Sequence, residues 1–360
     1  MANLTDFSAF IADTIARNLH PPGDFLNDAS ARSYTCSLLM DDQAAKTMDA
    51  GLYVFSNTRL QSDNLTQYYK PGERFDAPSP QNAAQPKSYW RFFRTSWGYH
   101  EELFDLNGPL GNPAQWGSYY INQREQFAQS TYDFLDNCLW AAPDSNEMED
   151  QNGRQMHSIR SAITIDGLVP SGFSTAWGLS STTSAKWRNQ VESYTDGDFD
   201  GTFFTKFMSM HLKLRWITPP RAADWFDSSN FNRMVILTDR AGVNVYATSN
   251  YTNNAGRMIP QTDAGSAFAG GNDATQYWSN IPIHEAPGLT ALNLSDPRFY
   301  FVDRDHLHFV KHSKKWLLED PPRVVSGEYP NMWVVHQRTY AALHCCSRDR
   351  LGMIKSSADT

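Results

Sequence analysis

The run PAQWGSYYINQREQFAQSTYDFLDNCLW, Pro113 to Trp140, restricts the possible folds of this chain more than any other stretch. Trp116, Tyr119, Tyr120, Phe127, Phe134, Leu135, Cys138 and Leu139 recur near helical spacing. Asn122, Arg124, Glu125, Gln129 and Asp133 form a polar face. The spacing predicts one helix from Pro113 through Trp140, a rod of roughly 40 Å at about 1.5 Å per residue. AAPDSNEMEDQNG then closes it as a polar loop. The rest of the fold must be built around that rod.

Upstream, LYVFSNTRLQ and SYWRFFRTSW both read as strands. Between them lies YYKPGERFDAPSPQNAAQPK, where Pro71, Pro78, Pro80 and Pro86 preclude regular structure. The pattern predicts a long β-hairpin with an irregular, protruding tip. An isolated hairpin is marginal in water, and this one carries Tyr89, Trp90, Phe92, Phe93 and Trp97. Those rings need a cover, supplied either by the chain itself or by another molecule.

Elsewhere the pattern is mixed. Thr5 or Asp6 can cap a short helix whose apolar face is Phe7, Phe10, Ile11 and Ile15, broken by the HPPGDF that follows. SIRSAITIDGLVP reads as strand-like and ends in a turn, and a stretch rich in Ser, Thr and Gly follows it. TFFTKFMSMHLKLRW has helical periodicity, ended by Pro219 and Pro220. MVILTD and VNVYAT read as two short strands around an Arg240-Ala-Gly242 turn. RFYFVDRDHLHFVK, KWLLEDPPRVV and MWVVHQRTYAALHCC return to strands. The class is α+β, and no internal repeat is visible.

Composition narrows the function. Hydrophobic residues are 41% of the 360 and mean hydropathy is −0.54, which predicts a water-soluble chain with a sizeable core. No apolar run approaches membrane-spanning length, and MANLTDFSAFIADTIARNL is not a secretory signal. The sequons at Asn3, Asn64, Asn250 and Asn293 therefore carry no expectation of glycosylation. Charged residues are 19% against roughly 25% for typical soluble domains, while aromatics reach 13%. That balance fits either a very aromatic core or extensive contact with other protein. A net charge of −8 argues against a task of gripping nucleic-acid phosphates. Cys36, Cys138, Cys345 and Cys346 form neither a disulfide framework nor a C-x-x-C zinc pattern, and suit a reducing cytoplasm.

The candidate chemistry is thin. TDGDFDGTFF opens like a calcium loop, with Asp196, Asp198 and Asp200 alternating before Gly201. However, the closing bidentate position falls on Phe207, so the stretch reads as a helix start with Asp198 or Asp200 as cap. His306 and His308 would share a strand face, near His312, but no further ligand is fixed. His344, Cys345 and Cys346 alternate in direction. GFSTA is not a G-x-S-x-G elbow, and no phosphate-binding glycine motif occurs. Glu101–Glu102 and Asp303/Asp305 could form a glycosidase pair beside Trp platforms, so a carbohydrate-active hydrolase stays as an alternative. No catalytic residue, metal or cofactor is assigned.

The order of parts, with DGLVPSG at 166–172, TTSAKWRNQV at 182–191, DPRFYFVDRDHLHF and HQRTYAALHCCSRDRLGMI, resembles the major capsid proteins of tailed bacteriophages, of the Hong Kong 97-like fold. The resemblance implies an N-terminal arm at 1–50 and an extended β-hairpin loop at 51–100. It implies a peripheral domain at 101–165 whose spine helix is 113–140, and an axial domain at 166–295. Residues 296–360 would return strands to the peripheral domain and a C-terminal segment to the axial one. It further implies pentamers and hexamers forming an icosahedral head around double-stranded DNA, in the virion, after assembly in the host cytoplasm. No enzymatic activity, membrane contact or sequence-specific DNA binding goes with it. A separate scaffolding protein, a portal and possible decoration proteins would be partners; a tail or decoration protein is the other structural alternative. Contact candidates between subunits are Phe7, Phe10, Ile11, Tyr69, Lys70, Arg74, Phe75, Trp90, Phe92 and Phe93. Some capsid proteins of this kind crosslink a Lys to an Asn; Lys70 and Lys87 flank the loop tip, but no bond is predicted for them.

Overall fold

The computed structural model describes residues 35, 38–39, 46–48, 51, 53–56, 58–59, 83–100, 113–182, 184, 187–195, 201–214, 234–253, 276–278, 281–321, 323–324 and 332–358. The acidic run at Asp196–Asp200, Glu101–Glu102, the N-terminal helix and the tip of the hairpin lie outside them.

Two six-stranded sheets organise the chain. The first is built on the strand Met332–Cys345, whose 14 residues are long enough to hold several partners. Along one edge it pairs antiparallel with Arg91–His100, from Ala341↔Arg91 to Met332↔His100. Along the other edge it takes Leu307–His312, Leu318–Glu319 and Arg323–Val324 in turn. Lys46–Met48 adds parallel to Leu307–His312. Residues 332–340 alternate half-buried and buried, the period-2 signature of a sheet with one covered face.

The cover on that face is the predicted helix, Pro113–Trp140. Pro113 occupies the first helical position, where its missing N–H costs nothing, and Pro143 lies just beyond the end. Phe127, Tyr132, Leu135 and Leu139 are buried beneath it. Thr131 Oγ1 lies 3.3 Å from both Thr95 Oγ1 and Gln337 Oε1, tying the helix to two neighbouring strands.

The second sheet runs Gln190–Tyr194, Gly352–Ser356, Phe299–Asp303, Met234–Thr238, Ile281–Glu285, Gln276–Trp278. Its central strands Met234–Thr238 and Phe299–Asp303 are buried at every position, because both faces are covered. Val235, Leu237, Tyr300 and Val302 face one core with Leu135, Trp140 and Leu343. Met234, Ile236, Phe299 and Phe301 face a second core under the helix Gly201–Lys213, with Phe203, Phe207 and Met210. The two sheets meet where the chain crosses between them, and Cys346 N donates to His306 O at 2.7 Å across that crossing.

Two expectations are corrected. VNVYAT is not a strand: Arg240–Asn253 is one helix, and the residues read as a turn are its first turn. Met234–Thr238 and Ile281–Glu285 are parallel, and parallel neighbours need a crossover, usually helical. Asp239 starts the helix by accepting from Gly242 N at 2.8 Å. SIRSAITIDGLVP is likewise not a strand. Ser158 and Ser161 form a reciprocal capping box around the short helix Ile159–Ala162, and turns follow.

Candidate assembly surface

The predicted hairpin has a well-defined root. Tyr53–Phe55 pairs with Lys87–Tyr89, and Thr58–Arg59 with Ala83–Ala84. The returning chain breaks at Trp90 and then enters the first sheet as Arg91–His100. The second half of the hairpin thus continues into a core strand of the body.

Several polar groups fix this root. Ser88 Oγ donates to Leu343 O at 3.0 Å and lies 2.8 Å from His344 Nδ1. His344 Nε2 lies 2.9 Å from Ser56 Oγ. Since the Ser88 proton is committed to Leu343, the donor count assigns the proton to His344 Nδ1, and Ser56 donates to Nε2. One imidazole therefore ties together both strands of the root. Cys345, next along the strand, faces the main core instead.

Arg91, 1% exposed, sits where the root meets the sheet. Its guanidinium donates to Met148 O, Asp150 O and Gly153 O at 2.6, 2.8 and 2.5 Å. Burial lowers its pKa, partly offset by Asp150, Glu147 and Glu149. The loop so held carries Glu149, whose carboxylate accepts from Trp177 N at 2.7 Å and Gly178 N at 3.0 Å. Trp177 and Gly178 both have positive φ, 55° and 74°, which points successive N–H groups at one anion. Burial raises the Glu149 pKa and these donors pull it back. Trp177 O in turn accepts from Lys87 N at 3.0 Å, closing the circuit to the hairpin.

A second buried guanidinium, Arg348, joins the sheets. It donates to Ala162 O at 2.9 Å, Leu168 O at 2.8 Å, Asn189 Oδ1 at 3.0 Å, Thr164 Oγ1 at 3.2 Å and Trp187 O at 3.3 Å. Burial lowers its pKa to about 10, so it stays charged at neutral pH. No local pattern in the sequence marks Arg91, Glu149, His157 or Arg348 as special; only tertiary carbonyls and N–H groups do.

The three described contact candidates separate. Trp90 is 5% exposed and packs with Val54, Val310 and Ala342. Phe93 is 8% exposed, in the main core edge-on to Phe134. Both rings are covered within the chain: odd positions of this strand face the long helix, and Trp90 sits under the root. Phe92 is 67% exposed, and the ring of Tyr340 lies edge-on to it at 4.6 Å. Phe7, Phe10, Ile11, Tyr69, Lys70, Arg74 and Phe75 lie outside the described residues.

Among the described residues the candidate chemical groups are not brought together. His306 is in a turn, while His308 and His312 are on the following strand. Asp303 accepts from Asp305 N at 3.0 Å, shaping that turn. Among the described residues no group of three His, Cys, Asp or Glu side chains is placed to hold a metal ion, and no helix is long and apolar enough to cross a membrane.

No protein-family model and no curated protein matches the chain. Solved structures do. The cyanophage A-1(L) capsid asymmetric unit is similar over 90% of this chain and 92% of its own, at 12% identity and a TM-score of 0.58. The capsid of a native GTA particle covers 89% and 90%, at 9% identity and TM-score 0.51. The holo-SrpI encapsulin complex from Synechococcus elongatus PCC 7942 covers 86% and 84%, at 9% identity and TM-score 0.51. With a long helix on one sheet, a second sheet whose central strands are buried on both faces, and a hairpin root that leads into the first, this chain has the Hong Kong 97-like fold.

Proposed function

We infer that the chain is a major capsid protein, which assembles as pentamers and hexamers into the icosahedral head of a tailed phage around double-stranded DNA. The observation that carries this reading is the likeness to the cyanophage A-1(L) capsid across nine-tenths of both chains. The rigid root beneath the hairpin supports it: a projecting loop transmits force between subunits only if its base cannot swing. In this reading residues 1–50 are the arm, 51–100 the extended loop, and 101–165 the peripheral domain with its spine. Residues 166–295 form the axial domain, and 296–360 complete both. The role is structural, without catalysis. Shells gain stability from many modest contacts repeated by symmetry, which suits an aromatic-rich, charge-poor chain. Scaffold, portal and decoration proteins are the expected partners, and assembly takes place in the host cytoplasm.

Negative-stain electron microscopy of the expressed full chain after size exclusion, with and without a scaffold, tests this. Closed shells, or rings of five and six, are expected. A monodisperse monomer under both conditions would overturn the reading.

A further inference from the structure

The first sheet has one face under the long helix and one open face, which the hairpin root covers at one end over Val310, Ala342 and His344. Beyond the root, three rings on neighbouring strands form a row. Phe92, Tyr340 and His312 stand edge-on, with successive centroids 4.6 and 5.8 Å apart. The next pair on this face is Arg94 beside Arg338, with Leu318 on the far side of Arg338. After it come Ser96 beside His336, and Arg323 beside Val334. Paired residues of antiparallel strands share a face, so the rings and the three arginines lie on one surface, with exposed Leu318 among them. Glu319 pairs with Gln337 and belongs to the other face. Burial lowers the pKa of His336, and Arg94, Arg323 and Arg338 lower it further against Asp320. The cluster's charge is therefore three arginines against Asp320, which is already paired with Arg338. Like charges opposed across a ladder destabilise it, so the Arg94–Arg338 pair is kept at a cost.

We propose that this face binds single-stranded nucleic acid, DNA and RNA alike, with bases on the row of rings and phosphates on Arg94, Arg323 and Arg338. Surfaces that hold single strands combine cations following the backbone with aromatic faces that accept any base. Phe92, 67% exposed, offers such a face. Arg94 follows it by two residues, about 7 Å along the strand, the reach from a stacked base to the phosphate of its own nucleotide. Arg338 and the Arg323 register position, Val334, are about 14 Å apart, so the cations track a strand and do not close on one anion. Planar guanidinium groups also stack on bases. A duplex hides its bases and would use the cations alone. An acidic peptide would meet the arginines but brings no succession of planar groups to the rings. The net charge of −8 argues against a grip on phosphates by the whole chain; these opposed arginines are a local exception. The inference stands on this face and does not depend on the shell-building reading.

Fluorescence anisotropy of the purified full chain with labelled oligothymidylate and oligouridylate tests this, from low salt up to about 0.2 M. Both strands are expected to bind, with log K falling against log salt at a slope near about −2, from three arginines at about −0.7 per phosphate. A duplex of the same length should bind about tenfold more weakly, for want of stacking. Phe92→Leu should lose about tenfold with the slope unchanged, and Phe92→Trp should bind at least as well as the parent. Arg94→Gln should lose affinity together with about 0.7 of the slope. Circular dichroism shows that each variant is folded, and a merely structural role would not move slope and affinity separately. No binding at low salt, equal binding of the duplex, or an unaffected Phe92→Leu would each overturn the proposal. Displacement by polyglutamate as readily as by oligothymidylate would overturn it in favour of an acidic protein segment. Microscopy of the same preparation reads the shell separately. Shells that bind no strand sink this inference alone, whereas a strand-binding monomer, with and without scaffold, sinks the shell reading alone.

Discussion

His157 lies flat against Trp177, ring centroids 4.2 Å apart and planes 20° from parallel. The imidazole is fully enclosed, and burial, with Arg91 and His344 nearby, lowers its pKa to about 3. It is neutral in the folded chain although Glu149 Oε1 is 3.4 Å from Nε2. The unfolded chain takes up that proton near pH ~6.5. Stability from this group is therefore complete above about pH 6.5 and falls as pH drops toward about 3, by up to ~1.4 kcal/mol per unit. Glu149, whose pKa is raised, acts in the opposite sense and offsets part of the loss. Urea unfolding of the subunit across this range should show the acid-side decline, and His157→Gln should flatten it. An unchanged slope in the variant would show that other groups set the acid limit.

Arg348 fills its site with five hydrogen bonds and no carboxylate. Arg348→Met would leave Ala162 O and Trp187 O facing an apolar chain, while Leu168 O keeps its bond from the Thr164 hydroxyl. Unsatisfied buried acceptors cost about 1–3 kcal/mol each, so a loss of about 3 kcal/mol or more is expected. Arg348→Lys should recover only part, since an ammonium cannot span the fork. Arg350→Met, at a half-buried neighbour that donates to Leu214 O at 3.2 Å, should cost less. Thermal unfolding of the three variants checks the order; equal losses for Arg348→Met and Arg350→Met would deny Arg348 its role at the seam.

The long helix was legible because 28 residues of one periodicity lie between two prolines, and no tertiary contact had to decide anything. The strand Met332–Cys345 was legible for the same reason at period two. The helix Arg240–Asn253 was not, because Val243, Val245 and Tyr246 favour a strand locally. The parallel pairing around it and the Asp239 cap decide otherwise. Gln190–Tyr194 escaped notice because its partner, Gly352–Ser356, is far along the chain. At the surface, the aromatic richness of the hairpin was visible, but not which ring points outward. That depends on the break at Trp90, which changes sheets and resets the alternation. The buried arginines had no signal, since what selects them is backbone carbonyls brought together by folding.

Gly288 packs where the end of the long helix meets the second sheet. Its N–H donates to Asp136 Oδ2 at 3.1 Å, and an added Cβ would stand 2.6 Å from Trp140 Cδ1 and 2.7 Å from Asp136 Oδ2. Trp140 cannot retreat, being buried and edge-on to Tyr300 at 5.2 Å. Gly288→Ala is expected to cost about 1–3 kcal/mol through overpacking. Gly172→Ala, where nothing lies within 4 Å but φ is +85°, separates backbone strain from crowding. It should lose only about 1 kcal/mol. Denaturant midpoints of the two variants make the comparison, and a smaller loss at Gly288 would mean that the helix end shifts freely.

Phe92 distinguishes a fold defect from an assembly defect. Its ring is mostly in water, so Phe92→Ser should leave subunit stability within about 0.5–1 kcal/mol of the parent. Trp90→Ala, beside it but buried, should cost about 3–5 kcal/mol. If the outer face of the first sheet is a contact between copies, Phe92→Ser protein stays folded by circular dichroism yet forms fewer shells or rings. Trp90→Ala protein should fail earlier, at the subunit. Light scattering of assembly mixtures, set against the unfolding midpoint of each subunit, separates the two. Normal assembly of Phe92→Ser would remove this ring from the contact surface.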